Sequence, residues 1–375
     1  MTSFRGTIKR LLLAIGAMGV LLAAGLPPHR AEAGGDYQVT GLRRLLPAGG
    51  RVAWSPAGQW LYYDRLGASG YWEVYRIRPD GTGDLCLTCN RPDLPSRNKG
   101  NPVVHPSGRY LVFQVEKEQH APAGPNATAP GSGRYNDLWV LDLATNLVYR
   151  LTDVRRDALS GSLHAQFSRD GSRLLWTDLE GSGGVFGDYR LVIADFVTSP
   201  QPSLSNHQYF NPGPQPVWLE SQGWGPDGSW IYFSCTPVAG MADENMDLCR
   251  MDLATPDQVK RLTFSAGGTE PGQWDEHAKL SPWADALSWM SSMPYGTTPG
   301  VYYREWLKTD LWLMTAGGSR RRLTYFNEPG YPEYQGERVV VADHAWSPDG
   351  TKIALYLQFF QSNRNEVWLL ELTRS

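Results

Sequence analysis

Six times along this 375-residue chain one short phrase returns: an aromatic residue or Leu, a small residue, usually Pro, a turn, then a β-rich run. The copies read VAWSPAGQWLYYD (52–64), VVHPSGRYLVFQ (103–114), AQFSRDGSRLLWTD (165–178), QGWGPDGSWIYFS (222–234), AKLSPWADALSWMSS (278–292) and HAWSPDGTKIALYL (344–357). A unit repeated at a fixed period signals a repeat architecture. The turn residues Gly58, Gly108, Gly171, Gly228, Ala284 and Gly350 lie 50 to 66 residues apart. That is room for four short strands and their loops, which is one propeller blade.

The phrase has a physical reading as a hairpin. Pro presets φ at the second position of a type I turn, Asp suits the third, and Gly accepts the positive φ that follows. The flanks are rich in Trp, Tyr, Ile, Leu and Val and read as strands. A second signal follows each copy, as in YWEVYRIRPDGTG (71–83), DLWVLDLATNLVYRLT (137–152) and DLWLMTAGGSRRRLT (310–324). It supplies a third strand, a turn and a fourth strand, usually ending in Leu-Thr. The sixth copy reaches Ser375 after its third strand, whereas Tyr37–Leu42 stands alone before the first repeat. That segment is expected to complete the last blade, because an open array would leave sheet edges exposed. The expected fold is all-β, one six-bladed propeller over 34–375.

These repeats resemble those of the TolB-like family of six-bladed propellers, a WD-like unit with a Ser-Pro-Asp-Gly turn. The resemblance covers about 36 to 375. It departs at Trp283-Ala284, where Asp-Gly is expected, and at His105, where Ser is expected. The family includes a periplasmic scaffold of the Tol–Pal envelope system. Similar repeats form propeller domains of oligopeptidases and of some carbohydrate lyases. The separate N-terminal α/β domain of the envelope scaffold is not recognisable here, so that protein's specific job is not expected. The resemblance implies an exported, non-enzymatic binding or scaffold protein that recognises a protein or glycan partner at the channel mouth or rim. The alternative it implies is a metal-assisted lyase or hydrolase acting on acidic sugars.

The chain opens with Arg5, Lys9 and Arg10, an apolar run from Leu11 to Leu26, and Ala31-Glu32-Ala33. This reads as a signal peptide (1–33) cut after Ala33, with a periplasmic or secreted destination. Cleavage removes four basic residues and one acid, taking the formal charge from −3 to −6. An acidic exported chain is a poor nucleic-acid binder, because phosphate contacts need clustered positive charge. No stable membrane span is expected after cleavage, and a monomer is. In an oxidising compartment the four cysteines are permitted disulfides. Cys235 and Cys249 fall in neighbouring strands of blade four and are expected to pair. Cys86 and Cys89 can pair only if a turn brings them together.

Three copies begin with His-Ala: His164, His277 and His344. The first strand of each blade lines the central channel, so equivalent positions converge in space. Asp275 and Glu276 precede His277, and Asp343 precedes His344; the matching positions elsewhere hold Arg51, Asn101 and Gln222. Imidazoles and carboxylates at one mouth suit a single divalent metal or an anionic or sugar ligand. The histidines are the candidate metal ligands, and Glu276 and Asp343 the candidate acid–base groups. The plain alternative is polar lining around a water-filled channel. Two long loops open on the same face. The Pro/Gly/Ala-rich 117–136 is expected to be mobile, and 291–309 carries Tyr302 and Trp306 as candidate platforms for a ligand. No Gly-x-Ser-x-Gly elbow or phosphate-binding Gly loop is present.

Overall fold

The computed structural model describes residues 36–375 apart from 125, 182–186, 214–217 and 266–271. The expected signal peptide therefore lies outside the described residues. Among those described, the strands form six four-stranded sheets, five of them paired in chain order and the sixth completed by the N-terminal strand. Blade one runs through Val52–Trp54, Leu61–Leu66, Trp72–Ile77 and Leu85–Cys86. The inner strands of the next five blades are Lys99–Val104, Gly161–Phe167, Leu219–Trp224, Asp275–Leu280 and Val339–Trp346. No helix among the described residues is long and apolar enough to cross a membrane.

All six hairpins close with the same backbone bond, fourth residue to first, at 2.8–3.0 Å. The fourth residue is left-handed every time, with φ between 58° and 75°. Five of these are Gly; Ala284, at φ 58°, is the exception. A Cβ in that region costs about 1–2 kcal/mol. Ala284→Gly is expected to stabilise the protein by about 0.5–1 kcal/mol after the extra chain entropy of Gly is deducted. A urea midpoint shift checks this. His105 serves where Ser stands in four of the other five copies: its Nδ1 accepts the Ser107 N–H at 3.0 Å, and its Nε2 lies 3.0 Å from the Gly171 carbonyl of the next blade.

The recurring Leu-Thr has an equally local cause. Thr152, Thr263 and Thr324 each accept a backbone N–H from the third strand of their blade, at 2.8–3.0 Å. Each hydroxyl also meets a buried Asp at or next to the start of that strand: Asp137, Asp247 or Asp310. Those carboxylates are answered by Lys117, Arg261 and Arg322. The same Asp–Thr–cation set recurs in three blades, so these acids brace the outer strands within each blade.

The ring closes as the repeats required. Tyr37–Leu46 pairs antiparallel with Arg364–Arg374, from Tyr37 opposite Arg374 to Leu46 opposite Val367. The strand runs four residues beyond the expected Leu42. Tyr37 is fully buried; its hydroxyl donates to Asp285 at 2.7 Å and its ring meets Trp346 edge-on at 5.4 Å. Both disulfides are present, Cys86–Cys89 and Cys235–Cys249.

Candidate functional site

The inner strands are not regular. In blades two, three and five the ladder slips between Gly100 and Val103, Leu163 and Gln166, and Glu276 and Lys279. Each slip is a β-bulge whose first residue is left-handed: Asn101 at φ 52°, His164 at 54°, His277 at 51°. Bulges of this kind normally take Gly there, and they re-aim a side chain. Holding a histidine so is strained by about 1–3 kcal/mol, a cost that clusters at functional sites. Neighbouring blades fix the geometry: Ser221 Oγ donates to the His164 carbonyl at 2.7 Å, and the Ser221 N–H donates to Thr177 Oγ1 at 2.8 Å.

These turns bring His164 and His277 together, with ring centroids 5.6 Å apart. Between them stands Glu220 from the inner strand of blade four. Its Oε1 lies 2.8 Å from His164 Nε2 and 3.3 Å from His277 Nε2. All three side chains are buried. One ligand-type atom from each falls within a sphere where every pair is under 4.8 Å apart. Glu220 Oε1 and His277 Nε2 make no hydrogen bond, although both are shut off from solvent. Their contact is an approach of charges without hydrogen-bond geometry.

The surroundings settle the protons. Burial pushes the Glu276 carboxyl up to about 8, aided by repulsion from Glu220. Its Oε2 accepts the Trp274 indole N–H at 2.7 Å and lies 3.6 Å from His277 Nδ1. Burial alone would lower His277, but the neighbouring carboxylates of Glu276, Glu220 and Asp343 raise it. Burial keeps His164 below its ordinary value, hence neutral. Glu220 stays ionised despite burial, against its two imidazoles.

Arg51 and Asn101 join this centre through Asp64. The Asp64 carboxylate accepts the Arg51 N–H at 2.9 Å and the Asn101 N–H at 2.8 Å, and burial raises it to about 6. It sits so close to blades one and two that a Cβ on Gly50 or Gly100 would overlap it, at 1.9 and 2.6 Å. Asn101 Nδ2 lies 3.5 Å from His164 Nδ1. The Gln222 side chain instead donates to Ser234 Oγ at 3.3 Å, and the Gln222 backbone carbonyl accepts from Lys279 Nζ at 3.4 Å.

His344 does not join the group. Its Nε2 lies 2.6 Å from Ser288 Oγ, and burial pushes it down to about 3. In blade six the ladder slips one residue earlier, between Val341 and Asp343, so His344 stays in regular pairing opposite Leu355. Asp343 lies beside it, its Oδ1 accepting the His344 N–H at 2.7 Å. The third member of the centre is thus Glu220, which the His-Ala pattern missed.

The described part of the 117–136 loop is tied down, contrary to the mobility expected of it. Arg51 Nη1 donates to the Pro130 carbonyl at 2.6 Å, and the Gly131 N–H to Gln114 Oε1 at 2.9 Å. His164 Nε2 lies 3.3 Å from the Gly131 carbonyl, so this loop covers one side of the centre. From the other long loop, Trp306 and Tyr303 pack on Trp274, with centroids at 6.1 and 5.6 Å. Tyr302 stands outside, 59% exposed. Trp306 is thus wall, and Tyr302 alone of the two expected platform residues faces solvent.

No family model matches this sequence, and no curated protein matches it. Solved structures do share its shape. A TolB-type protein from Agrobacterium tumefaciens superposes at TM-score 0.51 with 16% identity, over 86% of this chain and 90% of that one. A Xanthomonas campestris gluconolactonase, important in glucose secondary metabolic pathways, superposes at 0.53 with 12% identity, over 91% and 97%. TolB from Acinetobacter baumannii gives 0.49 with 15% identity over 88% of this chain. Only 64% of that longer protein is spanned. In fold the chain is a TolB-like six-bladed propeller. Likeness at such identities carries the fold alone, and a fold does not fix a function.

Proposed function

We propose that this chain is an exported propeller that holds one divalent cation on His164, Glu220 and His277 and acts with it on an acidic sugar, as a hydrolase or lyase. The observation that carries the reading is the convergence of Glu220 Oε1 and His277 Nε2, buried and without hydrogen bonds. Buried polar atoms are almost always hydrogen-bonded, and these two meet only as an ion pair, which suits a shared partner between them. A cation answers both at once, displacing the proton from His277 Nε2 as it binds. Two imidazoles and one carboxylate suit a first-row ion such as Zn²⁺, Mn²⁺ or Fe²⁺, and leave coordination positions open.

When bound, such an ion supplies Lewis-acid polarisation of a substrate oxygen. The chain's own residues would do the rest. Arg51 and Lys279 both interact electrostatically with Glu220 and Asp343, and they supply positive charge for a sugar carboxylate. Glu276, whose carboxyl burial raises, would give a proton to a leaving oxygen. Export belongs to the same reading: two disulfides fit an oxidising compartment.

A second reading, a binding protein for an envelope or extracellular protein or glycan, is favoured by the exposed Tyr302. One preparation separates the two. Residues 34–375, purified without chelator, are expected to carry about one first-row ion per chain. They should cleave an acidic oligosaccharide in a way that chelator abolishes. Metal without turnover across acidic substrates would leave the binding protein. Absence of metal would leave the histidines as channel lining.

A further inference from the structure

We propose that the Cys86–Cys89 disulfide is a thiol–disulfide exchange site, a reversible pair that takes two electrons from a dithiol. The proposal is independent of the channel cation.

The two disulfides of this chain stand in opposite situations. Cys235–Cys249 joins adjacent strands of blade four, and both its cysteines are fully buried. Cys86–Cys89 joins residues only three apart. It links the end of the two-residue fourth strand of blade one to the turn just after it. It therefore ties no two elements, and so short a ring restricts the unfolded chain least. Both its cysteines are only half-buried.

The groups around it suit the reduced state. The Cys89 backbone N–H points at Cys86 Sγ from 3.0 Å. A disulfide sulfur is a weak acceptor, but a thiolate is a strong one, so this N–H stabilises Cys86 as a leaving thiolate. The Tyr75 hydroxyl lies 3.6 Å from Cys89 Sγ. A Glu73 carboxylate oxygen lies within 4.8 Å of both sulfurs. Glu73 is buried between Thr88 Oγ1 at 2.5 Å and Lys99 Nζ at 3.2 Å, and burial raises it above the ordinary carboxyl range. A buried carboxyl beside a sulfur is a proton carrier in the right place.

The exchange balances with a dithiol as co-reactant. Its thiolate attacks Cys89 Sγ, the Cys86–Cys89 bond breaks, and the electron pair leaves on Cys86 Sγ, facing the Cys89 N–H. The reductant's second thiolate then attacks its own sulfur in the mixed disulfide and expels Cys89 as a thiolate. Two protons released by the reductant end on the two cysteines, with Glu73 able to relay one. The reductant leaves as a disulfide.

The test uses the native full-length mature protein and dithiothreitol, with timed alkylation and peptide mass mapping. Cys86 and Cys89 are expected to become alkylated at least about 100-fold faster than Cys235 and Cys249. Sub-denaturing urea should not change that rate, oxidised glutathione should restore the bond, and reduction of this pair should move Tm by no more than about 4 °C. The proposal is overturned if the two disulfides open together. It is equally overturned if urea accelerates opening of Cys86–Cys89, or if its reduction unfolds the protein, since each would make the bond a structural brace.

Discussion

Glu220→Gln is expected to weaken divalent-cation binding by at least about 100-fold, the upper end of what removing an outer-shell partner costs. The substitution keeps the volume of the side chain and its place in the blade-four strand, where Glu220 pairs with Ser234. It removes the negative charge that both imidazoles face, and it turns one oxygen of the ligand set into an NH₂ group that cannot bind a cation. His277→Ala should match it, because the left-handed backbone at that residue aims the ring at the same point. His344→Ala should leave affinity unchanged, since that ring is engaged with Ser288. Calorimetric titration with Zn²⁺ and Mn²⁺ reads all three, and circular dichroism confirms that the variants fold. If affinity for both ions is unchanged in Glu220→Gln, the carboxylate is not a ligand.

Deleting residues 36–46 is expected to abolish the folded monomer. The strand Arg364–Arg374 would lose its only outer partner and present eleven residues of unpaired backbone, a template for pairing with another chain. The loss also uncovers the pocket of Tyr37 and leaves the buried Asp285 with Arg374 and Ser281 but without its tyrosine. A milder version isolates that anchor: Tyr37→Ala should cost about 3–5 kcal/mol, the usual range for a large aromatic truncated in a core. Size-exclusion chromatography and urea unfolding read both. A cooperative, monomeric deletion variant would show that the N-terminal strand does not close the ring.

Most of the architecture was legible because it is local. Pro, Asp and Gly dictate the hairpin turns, and the recurrence of the turn fixes the number of blades. The missing fourth strand of the sixth copy points to the closing strand at Tyr37. The disulfides followed from strand adjacency and from the turn after Cys86. The site was legible in part, because strand position alone brings Arg51, Asn101, His164, His277 and Asp343 to one channel. What the pattern could not show is the bulge. L-residues seldom adopt φ near 50°, so nothing in the residue types announces that His164 and His277 turn inward. The three-residue offset of His344, against four at His164 and His277, was the one visible sign that it would not turn with them. Glu220 was missed for the complementary reason. It lies two residues before the position equivalent to the histidines and enters the centre because His164 and His277 reach towards it.

The most direct test of the channel site is anomalous diffraction from crystals of residues 34–375 soaked in Zn²⁺ or Mn²⁺, with data on both sides of the metal edge. The account predicts one anomalous peak within about 2.0–2.3 Å of His164 Nε2, His277 Nε2 and a Glu220 oxygen. A peak elsewhere, or none between those three atoms at saturating metal, would contradict it.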